Sequence, residues 1–104
     1  MSEEIQEYNG KTITYTGLAE YVDSYALQKI FENGHKDDPL KRDYLNLMIR
    51  LGQERSELSI AILRFMSDET EDNAVEAIKE IGDCVNILRF IAGKLAGYTA
   101  LERR

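Results

Sequence analysis

Two pairs of acidic residues stand in apolar surroundings at spacings that could bind a cation. Glu54 and Glu57 lie three residues apart in the segment GQERSELSIAI, and Glu80 and Asp83 lie three apart in KEIGDCVNIL. Side chains three or four residues apart lie on one side of a helix, about 5–6 Å from each other at Cβ. If both segments form helices that run antiparallel as neighbours, the four carboxylates meet around one point.

The chemistry of these four side chains points to a hard divalent cation. Four carboxylates of like charge repel one another unless cations lie between them. The Glu-x-x-His pattern of di-iron helical bundles is absent. Oxygen-only ligands predict Mg²⁺, with Mn²⁺ as a possible substitute, and phosphate oxygens as further ligands.

Two simpler explanations of the acidic pairs stay open at this point. Either spacing alone is common on solvated helix faces. The acids could also pair with nearby basic residues without any metal, and the basic residues in question are Arg55, Arg64, Lys79 and Arg89.

The distribution of apolar residues around the helices favours partial burial of the acids. At 100° per residue, five apolar residues of the first acidic segment fall within about 80° of one another. Glu54 and Glu57 border and enter this sector, which is formed by Leu47, Leu51, Leu58, Ile62 and Phe65. An ionised carboxylate that is buried in such a sector is costly unless it is paired or bound to a metal.

In the second acidic segment, the acids form a line that is separate from the main apolar face. We expect that face to comprise Ile78, Ile81, Val85, Leu88, Ala92 and Leu95. The other line starts with Glu76, Glu80 and Asp83 and continues towards the C-terminus through Ile87, Phe90 and Lys94. A cation thus follows the acids along one side of the helix.

Local signals predict a hairpin and three helices. Asn9-Gly10 between alternating residues indicates a hairpin over residues 5–16. The first helix is expected from Leu18 to Glu32, ended by Asn33-Gly34. Asp38-Pro39 is expected to open a second helix that ends near Met66.

The third helix is predicted after the polar loop SDETEDN. Asn73 with Glu76 three residues later has the spacing of a capping box. The helix is expected to run to Ala96 and to stop at Gly97.

These elements predict one all-α domain, an antiparallel helical bundle with a short extended or hairpin-like N-terminal segment. The expected divisions are residues 1–17 for that segment, 18–97 for the helical core and 98–104 for a C-terminal tail. Three helices are few for burying this much apolar surface, so we expect the bundle to be completed by homo-oligomerisation.

Composition excludes several classes of function. The chain has 104 residues and a net charge of −6, which argues against binding to a nucleic-acid polymer. No apolar run approaches the roughly 18 residues that span a bilayer. The start MSEEIQEYNG resembles no targeting peptide, so the predicted location is the cytoplasm, away from membranes. Cys84 is the single cysteine and cannot form an internal disulfide.

The two acidic segments together resemble a known superfamily. GQERSELSIAI, followed after a short loop by EAIKEIGDCVNILRFIAGKL, is similar to the MazG-like, all-α nucleoside triphosphate pyrophosphohydrolases. This superfamily includes the dCTP pyrophosphatases and the dimeric dUTPases, and it carries Glu-x-x-Glu on one helix and Glu-x-x-Asp on the next. The resemblance covers about residues 45–97, and Glu54, Glu57, Glu80 and Asp83 occupy the four acidic positions.

The resemblance implies an enzyme that cleaves (deoxy)nucleoside triphosphates into the monophosphate and pyrophosphate. The four acids would hold Mg²⁺, and either Glu54 or Glu57 would serve as general base. Three further residues are implied to touch substrate: Lys94 the phosphates, Ile87 the nucleobase, and Asn86 the base or sugar. Asn86 could equally be an ordinary exposed polar residue. Relatives of this kind form homodimers or homotetramers.

Two other functional classes remain open from the sequence. The chain could be a non-catalytic helical oligomer or interaction module that keeps the scaffold of this superfamily. It could also be an acidic regulator of a basic protein partner, although negative charge alone is a weak indication.

Overall fold

The computed structural model describes residues 5–33 and 42–99, and the predicted class is confirmed at the level of a mostly helical chain with an N-terminal hairpin. The elements in chain order are β1 (Ile5–Tyr8), β2 (Lys11–Thr14), α1 (Tyr15–Asn33), α2 (Tyr44–Ser67) and α3 (Glu71–Ala96). None of these three helices is both long enough and apolar enough to cross a membrane.

The hairpin forms at the predicted turn. Asn9 and Gly10 have φ of 52° and 76°, and Tyr8 pairs with Lys11 across the turn. Two successive residues with positive φ match the twist of antiparallel strands. α1 follows β2 directly, because the Thr14 hydroxyl accepts the Gly17 N–H at 3.0 Å and caps the helix. α1 therefore begins three residues before the predicted start.

The predicted start of α2 at Asp38-Pro39 is wrong. The helix begins at Tyr44, because the carboxylate of Asp43 accepts the Asn46 N–H at 2.7 Å and satisfies one of the free donors of the first turn. Asp38 and Pro39 lie outside the described residues. The end of α2, at Ser67, is one residue beyond the predicted end.

The predicted N-cap of α3, Asn73, is also wrong; the true cap lies three residues earlier. Thr70 is the cap, and its hydroxyl accepts the Asn73 N–H at 3.2 Å. Asn73 lies in the first turn, and its side-chain amide donates to the Asp68 carbonyl at 2.8 Å. The far end agrees with the prediction, since α3 ends at Ala96 and the Gly97 N–H bonds to the Lys94 carbonyl.

α3 is the central helix and packs against both α1 and α2. At the α1 contact, a Cβ added to Gly82 would lie 3.0 Å from the Ala26 nitrogen, so only glycine fits without movement of a backbone. Beside it, the Asn86 amide donates to the Ala26 carbonyl at 2.8 Å. Arg89 and Asp23 form an ion pair between the same two helices.

The side of α3 that carries the acids is the better buried one. Ile87, on that line, is 4% exposed, whereas Leu88 and Leu95 of the predicted main apolar face are 51% and 52% exposed. The expectation that Leu88 and Leu95 supply the core of α3 is therefore wrong for the single chain. Within residues 5–33 and 42–99, the buried apolar side chains are few and are Ala26, Leu47, Ala61 and Ile87.

We expect Asn86→Ala to lower the free energy of unfolding by about 1–3 kcal/mol, because it removes a buried hydrogen bond between two helices. Urea denaturation followed by circular dichroism measures this loss. Asn46→Ala is the matched control, since Asn46 is an exposed helical asparagine whose replacement should stay within about 0.5 kcal/mol. Equal stabilities for the two variants would contradict a structural role for Asn86.

Candidate metal centre

Three of the four predicted ligands converge. One carboxylate oxygen from each of Glu54, Glu57 and Glu80 lies within 4.8 Å of the other two. Their helices are antiparallel neighbours: the Asp68–Thr70 connection joins them at one end. At the other end the Lys94 Nζ lies 4.9 Å from the centroid of the Tyr44 ring.

The burial of these carboxylates leaves two oxygen atoms without partners. Glu54 and Glu80 are half-buried and Glu57 is exposed. Glu54 Oε2 and Glu80 Oε2 are each buried and accept no hydrogen bond. A buried carboxylate oxygen without a donor is costly, and protein structures usually satisfy it with a hydrogen bond, a counter-ion or a metal.

The fourth predicted ligand, Asp83, lies beside this group with a counter-ion of its own. Its Oδ2 is 3.9 Å from the Nζ of Lys29, which α1 contributes. Its side chain is 18% exposed, and that of Lys29 is 30% exposed. The site therefore consists of three converging carboxylates and an adjacent carboxylate–ammonium pair.

The electrostatics of the cluster oppose full ionisation. Burial raises the pKa of Glu54 to about 7, and the negative charges of Asp83 and Glu57 add to this rise. Burial also raises the pKa of Glu80, again reinforced by Asp83. For Asp83, burial raises the pKa while the positive charge of Lys29 opposes the rise.

The residues that were predicted to contact substrate lie in other surroundings. Ile87 is 4% exposed and Asn86 is 6% exposed, with its amide on the Ala26 carbonyl. Lys94 stands over the Tyr44 ring, and eleven residues of helix separate it from Asp83, about 16 Å along the axis. Their contacts with substrate remain predictions from the sequence.

Lys29 is the functional candidate that sequence reasoning missed. Among the basic residues considered from the sequence, Lys79 pairs with Glu76 at 3.6 Å and Arg89 pairs with Asp23. Lys29 follows the buried Ala26 by three residues and so shares its side of α1. That spacing is a usable signal only when α1 is known to pack against α3.

The donor set fits a hard divalent cation. All candidate ligands are carboxylate oxygens, and two of the buried oxygen atoms have no other partner among the described residues. Mg²⁺ and Mn²⁺ bind through such ligands and commonly share their coordination with phosphate oxygens.

Comparisons of the chain with family models, with curated proteins and with solved structures found no match. The resemblance of the two acidic motifs to the pyrophosphohydrolases therefore remains a prediction from the sequence.

We expect the protein without divalent metal to lose stability as the pH rises from 4.5 towards 7. The folded Glu54 has a pKa of about 7, above its ordinary value of 4.5, so the folded state binds more protons than the unfolded chain in this window. Glu54→Gln should remove most of this slope and raise the melting temperature at pH 8. The expected rise is about 4–8 °C, equivalent to about 1 kcal/mol after allowance for solvent screening.

The measurement is thermal denaturation with a chelator between pH 4.5 and 8. Glu69→Gln is the control, because it removes the same charge from an exposed position in the loop between α2 and α3. A Glu54→Gln variant with the wild-type pH slope would show that the cluster is not under electrostatic strain.

Proposed function

We propose that the protein is a Mg²⁺-dependent hydrolase that cleaves (deoxy)nucleoside triphosphates to the monophosphate and pyrophosphate. The observation that supports this most is the convergence of three carboxylates with two buried, unpartnered oxygens. The reaction class comes from the resemblance of the two acidic motifs to the pyrophosphohydrolases.

Each acidic residue has a distinct part in this proposal. Glu54 and Glu80 would hold the cation through their buried oxygens, and Glu57 would contribute its carboxylate from the exposed side. Asp83, beside Lys29, would complete the set of acids. A bound Mg²⁺ or Mn²⁺ would supply positive charge that neutralises the triphosphate oxygens. Glu57 is the better placed of the two candidate bases, because its exposed carboxylate can take a proton from water at the open side.

Lys29 supplies the positive charge that the protein itself offers to the phosphates of the substrate. A nucleoside triphosphate is strongly anionic, and the carboxylates around the site repel it. The Lys29 ammonium beside Asp83 reduces this repulsion and provides donors for phosphate oxygens. This role belongs to α1, outside the two helices that carry the acidic motifs.

We further propose that the chain forms a homodimer or homotetramer in the cytoplasm. Exposed apolar side chains such as Leu88 and Leu95 support self-association. The location follows from the proposed substrate, since nucleoside triphosphates are abundant in the cytoplasm.

A second candidate function is favoured by a specific observation. Ile87 and Asn86 are buried within the single chain, and Lys94 is engaged with Tyr44. A non-catalytic helical oligomer that keeps the same scaffold with its acidic residues would not need any of these three residues to contact a ligand. This alternative predicts a folded protein that neither binds nor hydrolyses nucleotides.

The decisive experiment measures pyrophosphate release from a panel of ribo- and deoxyribonucleoside triphosphates with Mg²⁺, with Mn²⁺ and with chelator. We expect metal-dependent release together with the matching monophosphate. Glu57→Gln and Asp83→Asn should each lower the rate by about 100-fold or more, because each removes a carboxylate of the site. Glu69→Gln should retain the wild-type rate.

Failure would take a definite form. If the folded protein releases no pyrophosphate, and several millimolar Mg²⁺ does not raise its melting temperature by mass action, the non-catalytic alternative takes precedence.

Variants of Lys29 test whether this residue binds the substrate or only stabilises the fold. We expect Lys29→Met to raise the KM for a triphosphate about tenfold, corresponding to the loss of one charge-assisted contact, while Lys29→Arg retains most of the affinity. Arg89→Met is the matched control, because Arg89 also joins α3 to α1 through an ion pair, with Asp23. Equal KM changes for the two methionine variants would assign Lys29 a structural role only.

A further inference from the structure

α2 presents a second apolar face, on the side of the helix opposite α3. Six large apolar side chains on this face are each more than half exposed: Leu45, Met48, Ile49, Ile60, Leu63 and Met66. At 100° per residue they fall within a sector of about 120° that is centred opposite the buried Leu47 and Ala61. A helix that is apolar on two opposite sides is typical of an inner layer, packed from both sides.

The middle of this face is formed by small residues whose polar groups are already satisfied. Gly52, Ser56 and Ser59 separate the two groups of large side chains, and a Cβ added to Gly52 meets nothing within 4 Å. The Ser56 hydroxyl donates to the Gly52 carbonyl, and the Ser59 hydroxyl to the Arg55 carbonyl, both at 3.1 Å. Another helix can therefore cover this point closely without leaving an unpaired hydroxyl.

The length and exposure of this face suit a stable interface. Its six large side chains extend from Leu45 to Met66, about 32 Å of helix, and each is between 55% and 67% exposed. An interface of standard size takes about 800 Å² from each partner, and a face of this length offers room for it.

The order of side chains along the face fits a second copy of the same helix. Along this face of α2, a group of large side chains is followed by small ones and then by a second group of large ones. This order is the same in both directions along the helix. In an antiparallel pair, Leu45 would meet Met66, Met48 would meet Leu63 and Gly52 would meet Ser59. A two-fold interface requires such self-complementarity, and antiparallel helix dipoles favour it.

We propose that the self-association proposed above uses this face: α2 packs antiparallel against α2 of a second copy of this chain, about a two-fold axis that passes beside Ser56. This surface lies on the opposite side of α2 from Glu54, so the inference does not depend on the metal centre. The dimer would cover the six large side chains and leave the acidic cluster accessible.

Disulfide cross-linking tests the register. In a Cys84→Ala background, which removes the single native cysteine, Ser56→Cys should form a covalent dimer under mild oxidation, because residues on the axis bring their Cα atoms within the roughly 4.4–6.8 Å that a disulfide spans. Arg64→Cys is the matched control on the polar edge of α2, about 12 Å further along the axis, and should remain monomeric on a denaturing gel.

The same approach tests the direction of the helices. A mixture of Leu45→Cys and Met66→Cys chains should cross-link to each other, whereas Leu45→Cys alone should not, because its two copies lie about 32 Å apart in the antiparallel pair. Cross-linking of Leu45→Cys with itself, or none at Ser56→Cys, would overturn the proposal.

The oligomeric state provides an independent measurement. Size-exclusion chromatography with light scattering should show a dimer or a higher even-numbered oligomer for the wild type and a particle of half that mass for the Met48→Glu, Leu63→Glu double variant. Circular dichroism verifies that the variant keeps its helices. A monomeric wild type, or a double variant with the same mass as the wild type, would overturn the proposal.

Discussion

The close contact between α1 and α3 at Gly82 and Ala26 determines where the charged residues of the site lie. The absence of a side chain at Gly82 lets the two backbones approach, and the Asn86 amide fixes the register by bonding the Ala26 carbonyl. One turn further along α1, this register places Lys29 beside Asp83. A looser contact would remove the charge of Lys29 from Asp83, which lies beside a cluster that already resists ionisation.

The cluster of carboxylates lowers the free energy of unfolding of this protein. Few side chains of the described part of the chain are buried, and part of the α2–α3 interface is occupied by carboxylates whose pKa values are raised by burial. Natural proteins retain such arrangements where binding energy from a ligand offsets the cost. The unpartnered oxygens of Glu54 and Glu80 are the structural sign of that cost.

Features that depend on local chemistry were predictable, and those that depend on distant contacts were not. Asn9-Gly10 specified the hairpin, and the spacing of Glu54 and Glu57 placed them on one side of a helix. The caps of α2 and α3 were misplaced because several polar residues near each start could accept the first free N–H, and tertiary packing selects among them. The pairing of Lys29 with Asp83 required knowledge of which helix lies beside α3, and no short-range pattern contains it.

The short Asp68–Thr70 connection means that the three converging carboxylates belong to a single helical hairpin. Contacts within such a hairpin are close in sequence and form early in folding, whereas α1 must dock across the intervening chain. We therefore expect the three carboxylates to come together before Lys29 of α1 reaches Asp83. Docking of α1 also forms its two ion pairs with α3, Lys29 with Asp83 and Asp23 with Arg89, and salt screens the attraction within such exposed or half-exposed pairs. We therefore expect the docking of α1 to be the step of folding at which ionic strength acts on these pairs.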